Sequence, residues 1–358
     1  MLAGEPHPTV LWELTRLCDL HCRGCPSGAT GQRDPNELST YEAYKTVDQI
    51  AALRPRELTI TGGDSLERED VHQIIDYARR RGLDPALVLT PGRDLTFDAI
   101  AKLQANGLTC AVFSIDGSTA TIHESIHGVA GTFALTLHAM RCAELAGLRI
   151  EVNTLVTRRN ADDLGAIVEL LRPFSIARWN VHFLVPTGAS RYLEMITAEE
   201  VERVFGTLEE IRTRETFVMR VVEAPHYRRF RLQRILESRL AGDGAEGADF
   251  TEAAHSFVYI SHSGEVRPSE FAPHTAGNLR YRPLGDIYRG SDLFVALRDP
   301  ANLHGKCREC DYRTLCGGSR ARAYAMTGDL FGADPLCAYE PGRDGAMPPV
   351  RQGTEIST

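Results

Sequence analysis

Three cysteines near the amino terminus carry the strongest chemical signal in this chain. Cys18, Cys22 and Cys25 follow a strand-like apolar run at 10–15 and are spaced C-x3-C-x2-C. A 4Fe–4S cluster takes four ligands, so three thiolates leave one iron open to a small molecule. Metal centres with three protein ligands and an open position are typically catalytic rather than structural. The spacing therefore predicts an iron–sulfur centre that performs chemistry.

Zinc and a disulfide are the competing interpretations of this triplet. A zinc site normally takes a fourth Cys or His, and His21 lies inside the loop. A structural disulfide is disfavoured because the chain has nine cysteines, an odd number. The amino terminus also does not read as a secretory signal, which would accompany disulfide formation. We therefore favour iron and sulfide.

A second group of cysteines near the carboxyl terminus offers four thiolates. They are Cys307, Cys310, Cys316 and Cys337, spaced C-x2-C-x5-C-x20-C. Four thiolates complete the coordination of a 4Fe–4S cluster, which favours electron transfer or a structural role over open-site chemistry. Structural zinc is the alternative, because four cysteines also form a tetrahedral zinc site. We expect the remaining Cys110 and Cys142 to be buried core thiols.

The amino-terminal spacing resembles that of the radical S-adenosylmethionine (SAM) superfamily. In that family a C-x3-C-x2-C loop after the first strand holds a 4Fe–4S cluster whose open iron is chelated by SAM. Electron transfer then splits SAM into methionine and a 5′-deoxyadenosyl radical. The resemblance implies that Cys18, Cys22 and Cys25 are the catalytic cluster ligands and that SAM is a cofactor. It also implies a flavodoxin- or ferredoxin-type electron donor.

The carboxyl-terminal cysteines resemble the SPASM/Twitch extension that follows many radical SAM barrels. This resemblance is carried by the stretch that begins Cys316-Gly-Gly-Ser and closes Asp334-Pro-Leu-Cys337. Full SPASM domains hold two auxiliary clusters, but Ser269 and Arg320 stand where ligands of the first are expected. The resemblance therefore implies one auxiliary cluster on the four cysteines, and two 4Fe–4S clusters in total.

Composition is that of a globular enzyme. The chain has 358 residues, 43% hydrophobic residues and a formal net charge of −8. Its basic residues are not clustered as a nucleic-acid surface requires, and no apolar run approaches the ~18 residues of a membrane span. We expect a cytoplasmic enzyme with a small-molecule substrate, and neither nucleic acid nor membrane as a partner.

Strand-like and helix-like segments alternate along residues 1–190. We predict strands at 10–15, 57–61, 86–90, 109–115, 149–156 and 178–185. Helical periodicity lies between them at 39–54, 67–81, 96–106, 131–146 and 160–172. This alternation predicts an α/β fold with parallel strands and crossover helices, and six units match the partial (β/α)6 barrel of the radical SAM family. Chemistry in such barrels lies at the carboxyl ends of the strands, where the three cysteines fall.

We divide the chain into four parts. They are the barrel at 1–215, bridging helices and a mobile joint at 216–255, the SPASM/Twitch-like domain at 256–340 and a disordered tail at 341–358. The bridging helices are predicted at 197–214 and 226–240, and a Gly-rich stretch at 241–247 marks the joint. A hairpin at 257–267 opens the small carboxyl-terminal domain.

Residues on or after strands two, four and five are the predicted SAM contacts. Gly62, Gly63 and Asp64 resemble the family's GGE/GGD motif. Glycine lets backbone come close enough to bind the SAM ammonium, and the carboxylate would add a charge-assisted contact. Ser114 and Asn153 occupy strand positions that hold the SAM ribose or carboxylate in related enzymes. Without the resemblance, Gly62, Gly63 and Asp64 would be interpreted as a tight turn and Ser114 as a turn residue. Asn153 would be interpreted as a hydrogen-bonded amide of the core.

The candidate substrate-binding residues lie on strand six and in the bridging region. Along strand six, either Arg178, Asn180 and His182 or the apolar side chains between them face the barrel interior. With Arg220 in the bridging region, the polar set would favour an anionic substrate that carries carboxylate or phosphate. The alternative is that arginines of this region lie on solvated helix faces.

The leading functional hypothesis is a radical SAM enzyme that removes hydrogen from an anionic metabolite, giving oxidative decarboxylation or dehydrogenation. Trp12-Glu-Leu-Thr15 and the stretch from Cys316 to Cys337 most resemble enzymes that modify tetrapyrrole side chains, although similar barrels act on sugars and nucleosides. A maturase of a ribosomally made peptide is one alternative. A redox-neutral rearrangement or epimerisation with a structural auxiliary cluster is another. A non-catalytic iron–sulfur carrier fits poorly, because it has no use for an open cluster.

Overall fold

One sheet organises the part of the chain that the computed structural model describes, which is residues 7–23, 25, 28–90, 95–241 and 257–342. Its strands are β1 Thr9–Glu13, β2 Glu57–Thr61, β3 Pro85–Val88, β4 Cys110–Ser114, β5 Arg149–Val156, β6 Ile176–Phe183, β7 Val218–Val222, β8 Phe257–Ile260, β9 Glu265–Arg267 and β10 Gly277–Asn278. The order across the sheet is β10-β9-β8-β1-β2-β3-β4-β5-β6-β7. Strands β1 to β7 are parallel to their neighbours, as a barrel built from crossover units requires.

Helices connect these strands. They are α1 Thr40–Leu53, α2 Val71–Arg80, α3 Phe97–Ala105, α4 Ala120–His127, α5 Thr132–Leu145, α6 Leu164–Leu171, α7 Ala198–Arg214, α8 His226–Ala241, α9 Leu284–Gly290, α10 Asp292–Arg298, α11 Gly305–Glu309 and α12 Arg320–Thr327. Several begin at strong N-caps, and Ser39 and Thr197 each form a complete capping box at the start of α1 and α7. Among the described residues, no helix has both the length and the apolar character that a bilayer crossing demands.

The predicted α/β fold is confirmed, and the six predicted strands are all present within two or three residues of their expected ends. The sequence analysis did not predict β7, α4, β10 or α9 to α12. Strand β7 reads Val-Met-Arg-Val-Val, is only half-buried, and lies between two long helices, so its periodicity is weak. Helix α4 is short and polar. It begins at the N-cap Thr119, whose side chain accepts a hydrogen bond from the amide of Ile122.

The carboxyl-terminal segment joins the barrel through the sheet itself. Strand β8 runs parallel to β1 with Thr9 opposite Phe257, and β9 returns antiparallel to β8. The strand that leads to Cys18 is therefore hydrogen-bonded to β2 on one side and to β8 on the other. The predicted domain boundaries at 215 and 256 precede β7 and β8, so they divide strands that belong to one sheet. The predicted joint and tail lie outside the described residues, apart from 241 and 341–342.

The core fills the space between the barrel strands and the surrounding helices. Trp12 and Trp179 are fully buried there, and the indole Nε1 of Trp179 donates to Thr154 Oγ1 at 2.8 Å. Cys110 and Cys142 are buried thiols, as expected. Along β6, Trp179 thus packs outward into the core, which leaves the alternate polar side chains for the barrel interior.

A buried arginine fastens helix α12 to the mouth of the barrel. The guanidinium of Arg322 donates to the backbone oxygens of Leu184 and Glu223, at 3.3 and 2.6 Å, which follow β6 and β7. It also binds both carboxylate oxygens of Asp334, at 2.9 and 3.0 Å. Neither side chain of this ion pair is exposed. The segment that carries the four carboxyl-terminal cysteines is thereby held against the strand ends.

Candidate active site and auxiliary cysteine centre

A cavity of about 760 Å³ runs through the interior of the barrel. Side chains from each of β1 to β7 contribute to its wall. The predicted site residues that line it are Cys18, Cys22, Cys25, Gly62, Gly63, Ser114, Asn153, Arg178, His182 and Arg220. A volume of this size lies in the range of about 300–1,000 Å³ that is usual for ligand pockets. The structure therefore brings these predicted cysteine, SAM and substrate residues to one chamber, and of the predicted SAM contacts only Asp64 does not line it.

The loop of three cysteines is fixed by backbone hydrogen bonds to neighbouring segments. The amide of Cys18 donates to Thr30 O at 3.0 Å, and the amide of Arg23 donates to His127 O at 2.9 Å. All three cysteines are thiols rather than disulfides. His21, the fourth ligand that the zinc interpretation required, is exposed to solvent. Three thiols that face a cavity fit a cluster with one open iron better than they fit a closed zinc site.

Gly62 and Gly63 press directly on the chain that leads into the cysteine loop. The amide of Gly63 donates to Thr15 O at 2.8 Å. A Cβ atom on Gly62 would lie 2.4 Å from Thr15 O, and one on Gly63 would lie 2.5 Å from Leu17 O. Any side chain at either position would therefore displace the backbone before Cys18. The close approach that requires glycine is to this backbone, and the contact with SAM stays a prediction.

Asp64 is buried and shapes the turn that follows the two glycines. Its Oδ1 accepts a hydrogen bond from the amide of Leu66 at 3.0 Å, and its own amide donates to Leu17 O at 2.7 Å. Burial is the main cause of the raised pKa of the Cys18 thiol, and the charge of Asp64 adds to it. The carboxylate thus lies close to the cysteine loop, while its predicted contact with SAM is untested.

A row of polar side chains crosses the cavity wall from β4 to β6. Ser114 and Asn153 are opposite each other in the register of β4 and β5. The Nδ2 atom of Asn180 donates to Asn153 Oδ1 at 3.0 Å. Of the two orientations left open for β6, the polar one therefore faces the chamber, with Arg178, Asn180 and His182 on its wall.

An aspartate–histidine pair beside the cysteine loop was missed by the sequence reasoning. His127 Nε2 lies 2.7 Å from Asp116 Oδ2, and both side chains line the chamber. Burial alone would lower the pKa of His127, but hydrogen bonds with Asp116 and Cys22 outweigh it and raise the pKa to about 10. Burial would raise the pKa of Asp116, and the bond with His127 instead lowers it. A charged imidazolium therefore stands next to Cys22.

The signal for this pair was present but incomplete. Asp116 lies in the Ser114-Ile-Asp-Gly117 segment after strand four, in which only Ser114 is predicted to contact SAM. His127 ends helix α4, which had not been predicted. A neighbouring ring, His123, stacks on His127 with centroids 4.2 Å apart, and burial lowers its pKa to about 4. Only one of the two stacked rings carries charge at neutral pH.

The two arginines predicted to meet the substrate are paired with a glutamate. Arg178 Nη2 lies 2.6 Å from Glu57 Oε1, and Arg220 Nη1 lies 2.8 Å from Glu57 Oε2. Arg178 also lies 3.6 Å from Glu151. Burial strongly lowers the pKa of His182, to about 4, so this imidazole is neutral in the chamber. This part of the cavity wall is consequently close to electrically balanced.

The four carboxyl-terminal cysteines surround a second, much smaller pocket of about 20 Å³. All four are thiols that line it, together with Lys306, Gly317, Gly318 and Tyr339. The amide of Gly318 donates to Cys316 Sγ at 3.3 Å, and Lys306 Nζ donates to Cys337 O at 2.7 Å. Four thiols around one enclosed point, with an amide already directed at sulfur, fit a fully ligated metal centre.

A single strip of chain separates this second pocket from the barrel chamber. Gly318 lines both cavities, and Ser319 and Arg320 after it line the chamber. Gly318 adopts a φ of 67°, a left-handed conformation that favours glycine. The wall between the two sites is therefore one residue thick and has no side chain at its thinnest point.

Hydroxyl groups and a glutamate fill the region where a first auxiliary cluster would be expected. Ser269 Oγ and Ser319 Oγ donate to the two carboxylate oxygens of Glu223, at 3.3 and 2.5 Å. Glu223 has a φ of 57°, which is rare for a residue other than glycine. Its backbone oxygen is held by Arg322, so several contacts support this strained conformation.

Comparisons with known proteins agree with this arrangement. A sequence profile of the Radical SAM superfamily matches residues 12–171. The chain is similar to an AdoMet-dependent heme synthase of Methanosarcina barkeri, with 33% identity over 357 residues that cover 96% of this chain and 100% of that protein. It is also similar to a PqqA peptide cyclase of Granulibacter bethesdensis, with 28% identity, 94% of this chain and 88% of that protein.

A solved structure shares the fold. The structure of Streptococcus suis SuiB bound to its precursor peptide SuiA superposes with a TM-score of 0.71 at 14% identity. The match covers 93% of this chain and 76% of that one. The likeness therefore extends through the barrel and into the carboxyl-terminal segment with the four cysteines.

Proposed function

The chain belongs to the radical SAM superfamily, and from this premise we propose that it oxidatively decarboxylates a side chain of a tetrapyrrole carboxylate. The superfamily binds SAM and a 4Fe–4S cluster, which when bound supply a 5′-deoxyadenosyl radical. The observation that carries the proposal is a single chamber bounded by the three-cysteine loop and, one residue away, by the four-cysteine pocket. A heme synthase related along its whole length supports the substrate class.

We assign the three-cysteine loop and the polar row to cofactor binding. Cys18, Cys22 and Cys25 are the proposed ligands of the SAM-binding cluster. Ser114 and Asn153 present polar atoms to the same chamber and are proposed to orient SAM within it. Gly62 and Gly63 keep the cysteine loop in place from behind, because no side chain fits between them and its backbone.

The reaction balances when one electron leaves the substrate. A propionate side chain that loses a hydrogen atom, carbon dioxide and one electron becomes a vinyl group. The proposed acceptor is a cluster on Cys307, Cys310, Cys316 and Cys337. Because Gly318 lines both cavities, a substrate in the chamber lies next to that centre without a side chain between them. This short separation supports an oxidative outcome over a redox-neutral rearrangement.

Substrate contacts and the reductant complete the proposal. Arg178, His182 and Arg220 line the chamber and remain our candidates for substrate contact, with both arginines held by Glu57. Radical SAM enzymes draw their electron from an external reductant, and we propose a flavodoxin- or ferredoxin-type protein. A peptide substrate is the second candidate, and the similarity to a PqqA peptide cyclase favours it.

Anaerobic turnover tests the proposal. Protein reconstituted with iron and sulfide is mixed with SAM, dithionite and a panel of tetrapyrroles that carry propionate groups, with and without iron. We expect one panel member to lose carbon dioxide and two hydrogens per reacting group, with one deoxyadenosine formed for each loss. The Cys22→Ala variant is the control and should give neither product. Deoxyadenosine formation with every tetrapyrrole unchanged would contradict the assigned substrate class.

A further inference from the structure

Arg320 occupies a position for which neither the fold nor the cofactor assignments provide a role. It is the first residue of α12, four residues after Cys316, and it lines the barrel chamber. Its Nη1 atom donates to the backbone oxygens of Gly332 and Leu330, at 2.7 and 3.2 Å. Its Nε atom donates to Gly318 O at 3.3 Å. These carbonyl contacts hold the guanidinium in one place.

The remaining nitrogen of Arg320 is buried without a partner. Within the described ranges, Nη2 makes no hydrogen bond and is shielded from solvent. A buried donor left unsatisfied destabilises the folded state by the lost hydration of that group, and more so when the group is charged. Arg320 also has no ion-pair partner among the residues that the structure describes, since the nearby Asp334 is bound by Arg322. The charge of Asp329 interacts with that of Arg320 without a direct ion pair, but among the described residues no group accepts a hydrogen bond from Nη2.

The unpartnered nitrogen lies next to Gly318, which lines both the barrel chamber and the four-cysteine pocket. An ideal Cβ atom placed on Gly318 would be 2.7 Å from Arg320 Nη2 and 3.5 Å from Cys307 Sγ. The two atoms therefore flank the same point, on the open side of Gly318. Asp334 Cβ lies 2.8 Å from the same point, so a side chain at position 318 would collide with Asp334 and with the guanidinium, and only glycine leaves the space between the guanidinium and the thiol open.

A negatively charged group in the pocket would satisfy this donor. Four thiolates on a 4Fe–4S core carry a net negative charge, and that charge grows by one when the cluster is reduced. Cluster potentials depend on net charge, on hydrogen bonds to the sulfurs and on exposure. In a poorly hydrated site, a fixed cation interacts with such a charge more strongly than it would in water.

We propose that Arg320 sets the auxiliary cluster as an electron acceptor, by donating a hydrogen bond and a fixed positive charge that stabilise its reduced form. The inference rests on the proposed function in that the electron comes from the substrate. One electron leaves the substrate radical as carbon dioxide is released, and one electron enters the cluster, which an external acceptor later reoxidises. Arg320 is therefore a positioning residue, which acts through the cluster.

The test measures the midpoint potential of the auxiliary cluster in the holoenzyme without substrate. EPR-monitored redox titrations of the wild type are compared with Arg320→Gln, Arg320→Lys and Arg313→Gln. SAM is added to identify the signal of the first cluster, which it perturbs. Arg313 lines the same pocket but is exposed, so solvent screens its charge and it serves as the matched control.

We expect Arg320→Gln to lower the equilibrium constant for reduction at least about tenfold, a shift of about 59 mV for a one-electron couple. Arg320→Lys and Arg313→Gln should stay within a few-fold of the wild type. Deoxyadenosine formation in the absence of tetrapyrrole should persist in all of them. An unchanged potential in Arg320→Gln with full iron content overturns the inference.

Loss of the cluster in the glutamine variant is also decisive. Arg320→Met then provides a second neutral side chain of similar length, read by the same titration. If neither neutral variant binds the auxiliary cluster while Arg320→Lys does, the charge is needed for cluster binding and the proposed tuning is wrong. Because no substrate is present in these titrations, failure of the tetrapyrrole assignment would leave their result readable.

Discussion

Cys22 and Cys310 are both half-buried thiols, yet their surroundings differ in kind. Cys22 lies on the large chamber, next to the charged ring of His127. Cys310 lies in the small pocket with three other cysteines. The first setting leaves room for a second molecule at the metal, and the second does not. Substitution at Cys22 should therefore affect the cleavage of SAM, and substitution at Cys310 should affect only the function of the four-cysteine centre.

Alanine substitution at these two positions should give opposite results. We expect Cys22→Ala to abolish reductive cleavage of SAM, because the cluster that donates the electron loses a ligand. Cys310→Ala should retain cleavage while it loses about half of the bound iron, since each 4Fe–4S cluster holds the same number of irons. Deoxyadenosine yield and iron content, measured on the same anaerobic samples, check both expectations. Normal deoxyadenosine formation by Cys22→Ala would refute the assignment.

Glu270 is a chamber residue whose charge state affects stability. Burial is the main cause that raises the pKa of its carboxyl to about 8, and the charges of Glu223 and Glu13 add to it. In the unfolded chain the same carboxyl ionises near pH 4.5. The folded state therefore binds an extra proton between these values, so its stability falls as the pH rises through this window.

Glu270→Gln should remove this pH dependence. Near pH 8 the variant should have a higher free energy of unfolding than the wild type, and near pH 4.5 the two should agree. Each pKa unit corresponds to about 1.4 kcal/mol, reduced where water enters the chamber. Denaturant unfolding at both pH values, with matched iron content, measures the difference. Glu69→Gln, at an exposed position, is the control, and an equal response in both variants would count against the buried carboxyl.

The cysteines were predictable from sequence because ligand number and spacing are local properties. Asp116 and His127 were not, although they adjoin the same loop. Their pairing requires α4 to place a ring from its last turn against the end of β4. The ion pairs of Arg178 and Arg220 with Glu57 could not be predicted from the sequence either. Each arginine is 121 or more positions from Glu57 along the chain.

At the scale of elements, long periodic segments were predicted well and short ones were not. Helices α1 and α7 have caps and a clear apolar face, and they lie within two residues of their predicted ends. Strand β7 has no such pattern, since its residues are only partly buried. Its position is set by pairing with β6, where Arg178 lies opposite Val218. Neighbours in space rather than in sequence decide elements of this kind.

Helix α12 offers a test of how the second cysteine site is held in place. Arg322 is fully buried and binds Asp334, and removing one partner of a buried ion pair typically costs about 3–5 kcal/mol. We therefore expect Arg322→Met to destabilise the protein and to weaken iron retention at the four-cysteine pocket first. Urea unfolding and iron content during chelator challenge measure the two effects.

An exposed arginine nearby provides the comparison for this variant. Arg308 lies next to Cys307 but on the surface. Loss of its charge in Arg308→Met should therefore change the free energy of unfolding by less than about 0.5 kcal/mol. Equal losses in the two variants would show that charge near the pocket matters and that the buried contacts of Arg322 do not. Retention of iron by Arg322→Met would assign the anchoring to the sheet instead.

At the scale of the whole molecule, the order of parts along the chain differs from their order in space. The sequence predicted a barrel followed by a separate small domain, and it identified the barrel units and the hairpin. It did not predict that the hairpin extends the barrel sheet, because pairing between β1 and β8 leaves no local pattern in either strand. Strand pairing across such a separation carries a loop-closure cost and forms only when both segments meet in space.

This pairing has a consequence in time. During synthesis, β1 leaves the ribosome long before β8, and at about 5–20 residues per second the delay is roughly ten to fifty seconds. Throughout that interval one edge of β1, the strand that leads to the cysteine loop, lacks its final neighbour. The pairing of β1 with β8 at the entrance to the barrel can therefore form only after translation has passed the hairpin. We therefore expect the strand that leads to the cysteine loop to reach its final form only after β8 has been made.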